Sequence, residues 1–200
     1  GFDEYTENME GQSFNARYFD RSFLTQSTWK DWQLQIDSLQ VLLTPEKIDS
    51  AMHAFPKEVY PLRGTETARI LKARLENLEP MARKLYLSLA KEVSITGTQE
   101  SDYFEIMALS DTVLRISGYE QMKDGQKGPQ FYHRMFYASE TRKIDLYGLG
   151  GDDQFKIEGN HLSKIELNII GGDNKDEIVT GEGLKRENIF VFGDGNTEIS

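Results

Sequence analysis

Five oxygen-bearing side chains lie in two glycine-rich turns near the end of the chain: Asp152, Asp153, Asp173, Asn174 and Asp176. The first turn is Gly148-Leu-Gly-Gly-Asp-Asp-Gln-Phe155, and the second is Gly171-Gly-Asp-Asn-Lys-Asp-Glu-Ile-Val179. Calcium takes six to eight oxygens at ~2.3–2.6 Å, mixing carboxylates with backbone carbonyls. Glycines let carbonyls turn toward an ion, so two stacked turns of this composition could share one Ca2+. The same residues are also ordinary turn formers that need no ion. Both readings stay open on the sequence: structural corners, or a calcium site.

Aligned on the closing apolar residue, the second turn is similar to the RTX-type calcium nonapeptide G-G-x-G-x-D-x-U-x. It departs at the fourth position, where Asn174 replaces Gly. Asn is the non-glycine residue best able to take a left-handed conformation. A third copy, Asn188-Ile-Phe-Val-Phe-Gly-Asp-Gly-Asn-Thr-Glu-Ile199, keeps Gly195 but has Thr197 where the liganding Asp belongs. The closing residues Phe155, Ile178 and Ile199 are 23 and 21 apart. That period is too long for a nonapeptide array and fits a parallel β-helix with one corner per coil. The expectation is a single interior column of these three side chains.

Other chemistries find little footing. Cysteine is absent, which removes disulfides, thiol nucleophiles and thiolate metal sites. His53, His133 and His161 lack any H-E-x-x-H spacing, and neither a G-x-S-x-G elbow nor a P-loop occurs. The formal charge of −10 disfavours nucleic acid and anionic lipid, and the longest basic cluster is Lys185-Arg186. No apolar run reaches the ~18 residues of a spanning helix, so no direct membrane insertion is expected. Trp29 and Trp32 share a helix face with Ile36 and read as core. Tyr132, Tyr137 and Tyr147 are candidates for an exposed aromatic binding surface.

The elements that must position these residues follow from periodicity. Residues 1–25 read as an extended arm or short turns packed on the following helices. A helix over Trp29, Trp32, Ile36 and Leu39 starts at Ser27 or Thr28. A second begins at Thr44-Pro45-Glu46, a third at Gly64-Thr65 and a fourth at Pro80. Short loops between helices predict an antiparallel bundle. Near Val93 the period changes to 2, and 103–109, 113–119 and 131–137 read as an antiparallel meander. The expected fold class is therefore α+β, with a small N-terminal helical bundle, an antiparallel β-meander and a C-terminal β-solenoid of about three coils. The expected division is 1–93, an arm and helical bundle, and 94–200, a meander running into repeats at 143–200.

Several stretches resemble a connecting module of large Bacteroidetes-type envelope proteins. They are Asn15-Ala-Arg-Tyr-Phe-Asp-Arg-Ser-Phe-Leu24, Leu43-Thr-Pro-Glu-Lys-Ile48, Phe55-Pro-Lys-Glu-Val-Tyr60 and Leu71-Lys-Ala-Arg74. The segments 143–155 and 169–176 share the resemblance. In such proteins the module can follow a calcineurin-like metallophosphoesterase domain and precede an outer-membrane β-barrel. The phosphoesterase Asp/His/Asn signatures are missing here, so no catalytic residue carries over. Gly1-Phe2-Asp3 reads as an internal start and the third copy stops at Ser200, so a piece of a longer polypeptide is expected. The resemblance implies a periplasmic or cell-surface location in a Gram-negative bacterium, with neighbouring domains of the same polypeptide as partners. The expected function is a non-catalytic structural or interaction module, calcium-stabilised through its Gly/Asp turns. The alternatives are an accessory domain shaping access to an adjacent metallophosphoesterase, and a glycan- or protein-binding module.

Overall fold

Local signals set the helix starts. The Asp31 carboxylate accepts the Thr28 backbone N–H at 2.8 Å and its hydroxyl at 2.6 Å, opening a helix at Trp29. Thr44 Oγ1 accepts from Lys47 N–H at 3.3 Å, with Pro45 in the first turn where a missing N–H costs nothing. The computed structural model describes residues 2–159, 163–182, 184, 187–193 and 197–199. The helices are α1 (Met9–Ser13), α2 (Arg17–Phe23), α3 (Trp29–Leu42), α4 (Pro45–Met52), α5 (Thr65–Glu76) and α6 (Leu78–Ala90). A 3-10 turn, Phe14–Ala16, joins α1 to α2, and a π turn, Tyr60–Gly64, leads into α5.

The strands are β1 (Glu92–Thr96), β2 (Asp102–Ser110), β3 (Val113–Gln121), β4 (Lys127–Tyr137), β5 (Lys143–Leu149), β6 (Gln154–Glu158), β7 (Glu166–Gly172), β8 (Glu177–Thr180), β9 (Ile189–Phe192) and β10 (Glu198–Ile199). The chain divides into two compact units: residues 1–17 with 27–88, and residues 18–26 with 89–200.

In the first unit Tyr86 is buried, its ring 5.6 Å from Trp29 and 6.0 Å from Trp32, and the Arg83 guanidinium lies 4.7 Å over the Trp29 ring. Ile36 is the only fully buried residue of α3, while Leu34, Leu39, Val41 and Leu42 are exposed. Close helix packing centres on α4 against α5. These narrow apolar faces cannot build a shared interior, so the expected small bundle does not form.

The second unit holds two sheets. One is wholly parallel, in the order β1-β5-β7-β9, and the other runs β10-β8-β6-β2-β3-β4. In the second sheet β2–β3–β4 pair antiparallel while β2, β6, β8 and β10 pair parallel. The fold is thus α+β with one parallel and one mixed sheet. This overturns the separate meander and three-coil solenoid. The meander strands hydrogen-bond directly onto the strand ladder and make half of a mixed sheet. The parallel pairing also begins at β1 and β2, before the recognised repeats.

Strand alternation feeds one interior. Ile95, Phe104, Ile106, Ile144, Leu146, Phe155, Ile157, Leu167, Ile169 and Ile178 come from both sheets and are at most 2% exposed. Phe104 stacks on Phe155 at 5.3 Å and meets Phe131 edge-on at 5.8 Å.

Residues 18–26 do not join the helices as expected but are tied to the strands of this unit. Thr25 C=O accepts from Tyr132 OH at 3.0 Å and from Arg134 Nη1 at 2.6 Å. Gln26 donates to Phe131 C=O at 3.0 Å, and Arg21 to Glu92 C=O at 3.1 Å.

Removing Phe155 by a Phe155→Ala substitution should destabilise the β unit by about 3–5 kcal/mol in urea denaturation. Ile199→Ala, at a side chain 51% exposed, should lose less than about 1 kcal/mol. Equal losses at the two positions would refute a core centred on the Phe104–Phe155 stack.

Candidate functional site

Each crossing from the parallel sheet to the mixed sheet turns at a corner where a glycine precedes an acid: Gly97 and Asp102, Gly148 and Asp153, Gly171 and Asp176. The last corner has Gly193 and Thr197. Two residues beyond each corner stands an apolar side chain, and these four are in register: Phe104 with Phe155, Phe155 with Ile178, Ile178 with Ile199. The predicted column of Phe155, Ile178 and Ile199 is therefore aligned, although Ile199 stays half-exposed at its end. Its first member, Phe104, belongs to a rung not recognised among the repeats.

Asp102, Asp153 and Asp176 are buried, at 0%, 1% and 0% exposure. Asp153 Oδ1 accepts the Asp102 N–H at 2.8 Å, and Asp176 Oδ1 accepts the Asp153 N–H at 3.2 Å. Asp102 in turn accepts from Thr98 N–H at 2.6 Å and from its hydroxyl at 3.2 Å. Each corner carboxylate thus holds the backbone of its own turn or of the rung before it. The corner glycines are required by space: a Cβ on Gly97, Gly148 or Gly171 would overlap the carboxyl of Asp102, Asp153 or Asp176, and one on Gly193 would overlap the Thr197 hydroxyl.

Burial pushes the Asp153 carboxyl up to about 8, opposed by the Asp102 N–H and reinforced by the charges of Asp102, Asp176 and Asp152. Burial likewise raises Asp102, against the stabilising Thr98 hydrogen bonds. Asp153 Oδ2 is buried without a hydrogen-bond partner among the described residues.

The structure divides the five sequence-predicted ligands. Asp153 and Asp176 lie inside on successive rungs. Asp152, Asp173 and Asn174 are exposed. Asp152 Oδ1 accepts the Lys175 N–H at 3.1 Å, which ties two successive turns together. Asn174 has φ 76°, the left-handed conformation its position required, and Gly172 has φ 111°. Among the described residues, no group of three or more His, Asp or Glu side chains is arranged to hold a metal. Two of the five are thus placed inside the β unit and three on its surface.

Asp102 escaped sequence reasoning because Gly97-Thr-Gln-Glu-Ser-Asp102 lacks the paired glycines. The signal that finds it is an Asp five residues after a Gly and two before a bulky apolar residue. The β3–β4 hairpin inserted before the next corner hides the period.

A polar groove of about 660 Å3 flanks this ladder, its walls including Glu100, Asp152, Glu177, Lys123 and Lys175. A carboxyl holding its proton to about pH 8 beside a groove has the form of a general acid. Here, however, Oδ1 is engaged by backbone and Oδ2 faces Gly148.

The remaining candidates have structural settings. His53 Nδ1 lies 2.7 Å from Asp49 C=O, and His133 Nδ1 lies 2.9 Å from Ser117 Oγ. Tyr132 is buried with its hydroxyl on Thr25 C=O, so it cannot serve an exposed aromatic surface. Tyr137 is exposed and Tyr147 half-buried. His161, Lys185, Arg186 and Gly195 lie outside the described residues. Comparison of the chain with family models, curated proteins and solved structures finds no match.

The raised Asp153 gives a signed pH dependence. The folded chain keeps this proton between about pH 4 and pH 8, whereas the unfolded chain releases it near pH 4. The native state then binds more protons, so the Asp153 contribution lowers stability as pH rises through that window, by at most about 1.4 kcal/mol per unit. Urea denaturation at pH 5 and pH 8 should show a shallower decline for Asp153→Asn, which retains the Oδ1 acceptor. Identical slopes in the two proteins would refute a proton held at Asp153.

Proposed function

We propose that this chain is a non-catalytic structural and interaction module of a larger bacterial cell-envelope protein. The observation that carries the reading is the corner ladder: the buried carboxyls, the groups best able to do chemistry, are spent on backbone N–H groups within and between rungs. A continuous core shared by both sheets suits that part of the chain to holding neighbouring segments in place. The resemblance to connecting modules of Bacteroidetes-type envelope proteins supports the setting, with the periplasm or cell surface as its location.

One atom favours a second reading, calcium-linked rigidity. Asp153 Oδ2 is a buried oxygen with no hydrogen-bond partner among the described residues, and it shares the space beside Gly148 with the Gly171 carbonyl. A proton or a cation can satisfy such an atom.

Two measurements separate these readings. The folded chain should show no turnover of p-nitrophenyl phosphate or bis-p-nitrophenyl phosphate with Mn2+ or Ca2+. Turnover that disappears in a folded Asp153→Asn variant would sink the non-catalytic reading. If calcium completes the corner, saturation at 100 times Kd should add about 2.7 kcal/mol of stability, and Asp153→Asn should abolish the gain. Equal melting in calcium and in chelator leaves the corners held by protons and backbone alone.

A further inference from the structure

Strand β4 ends the mixed sheet, and among the described residues no strand pairs with its outer side. Its two halves are finished differently. In the first half Lys127 and Pro129 lie on the edge, the register with β3 slips beside Tyr119, and Gln26 donates to the Phe131 C=O at 3.0 Å. Charge, proline, a bulge and a cover all keep an edge from pairing. The second half is left open. Ala138 N–H donates to Thr112 C=O at 2.9 Å, so by the alternation of an antiparallel pair the even-numbered residues here bond to β3. The N–H and C=O of His133 and Met135, and the N–H of Tyr137, then point outward. The Tyr137 C=O is taken by the Glu140 and Thr141 N–H groups at 2.8 Å, which closes the stretch. The same three side chains stand on the outer face of the sheet, with His133 exposed, Met135 37% exposed and Tyr137 44% exposed. Val113 lies beside Tyr137 on that face, and Arg115 and Met107 continue the row of Met135.

We infer that residues 133–137 of β4 are an interface between two copies of this chain, paired antiparallel about a two-fold axis at Met135. The open stretch is complementary to itself, and this selects the occupant. Centred on Met135, each copy's Met135 exchanges both main-chain bonds with the other's, and each Tyr137 N–H reaches the second copy's His133 C=O. Every outward group except the His133 N–H is then paired. Other registers do worse. An axis at His133 sets Met135 against Phe131, whose C=O Gln26 already fills. An axis at Tyr137 needs a C=O already spent within its own turn. Across the axis Met135 meets Met135 and His133 meets Tyr137. On the inner face Arg134 meets Phe136, the ring type its guanidinium already covers at 4.7 Å within one chain. No acid occurs between Phe131 and Ala138, so no carboxylates oppose one another along the pairing. The net charge of −10 on each copy acts from further away and is screened over about 8 Å at physiological salt. Five paired residues make a contact at the low end of interface sizes, so the dimer forms and parts with concentration.

This inference does not depend on the envelope-module reading: phosphoesterase turnover would sink that reading and leave this edge as it is. The chain has no cysteine, so a single introduced thiol reports on one position. Directly opposed, hydrogen-bonded residues of an antiparallel pair have Cα atoms about 5.5 Å apart, within disulfide reach. In the register proposed, the two His133 Cα atoms are offset by four residues, roughly 13 Å along the strands. Mild oxidation should therefore link Met135→Cys into a covalent dimer at least about tenfold faster than His133→Cys alone. Mixing His133→Cys with Tyr137→Cys should restore linkage as a mixed dimer. Sedimentation of the unsubstituted chain should show a mass rising toward that of a dimer with concentration. Met135→Pro removes an outward N–H at an edge position that a fold tolerates, and should abolish this rise. Met135→Lys, which sets two ammonium groups opposite each other on an exposed site, should weaken association by at least about threefold with an unchanged far-UV spectrum. Linkage of Met135→Cys no faster than that of His133→Cys would overturn the proposal. So would a chain that stays monomeric at every concentration, or a dimer that survives both Met135 substitutions.

Discussion

A backbone N–H that turns out of a strand at a tight corner must find an acceptor, because an unpaired buried donor costs about 1–3 kcal/mol. In the β unit the carboxyl of the next rung supplies it, Asp153 for Asp102 and Asp176 for Asp153. That bond constrains its surroundings. The acid must sit inside, its corner glycine can have no Cβ, and the residue two positions later must point into the core. The alignment of Phe104, Phe155, Ile178 and Ile199 and the burial of three carboxyls are two views of one constraint.

The constraint explains why an acidic chain buries acids at all. An isolated carboxylate in an apolar interior is unfavourable by several kcal/mol. Asp102 offsets this with two hydrogen bonds from Thr98. Asp153 has one backbone donor and three carboxylate neighbours, and it answers by holding its proton toward neutral pH. Negative charge is dispersed over the exposed face instead, where Asp152 and Glu177 are bound by Lys175 N–H and Gln154. Structure and proton binding are therefore linked at these corners.

The inserted hairpin is a second consequence. Strands β3 and β4 enter between the first and second corners, so the ladder runs from Asp102 to Asp153 across 51 residues, while the next step takes 23 and the last 21. Their antiparallel pairing widens one sheet beyond the other. Tyr132 and Arg134 on the inner face of β4 then need acceptors, which Thr25 provides. The 18–26 stretch is held by these side chains rather than by the helices its sequence position favours.

What the residue order determined is local. Thr44-Pro45 and Thr28 with Asp31 start helices, period-2 runs make strands, and the paired glycines before Asp153 and Asp176 mark corners, because each signal acts within a few residues. Asn174 in the left-handed region belongs to the same class. Tertiary structure decided which signals belong together. Gly97 and Asp102 became the first rung only because β1 and β2 pair with strands about 50 residues further on. Asp152 and Asp153 are neighbours in sequence, yet one faces solvent and the other the core, since adjacent side chains point to opposite sides. The amphipathic helices looked sufficient for a bundle, but the burial that would make one depends on partner faces that a one-dimensional pattern does not contain.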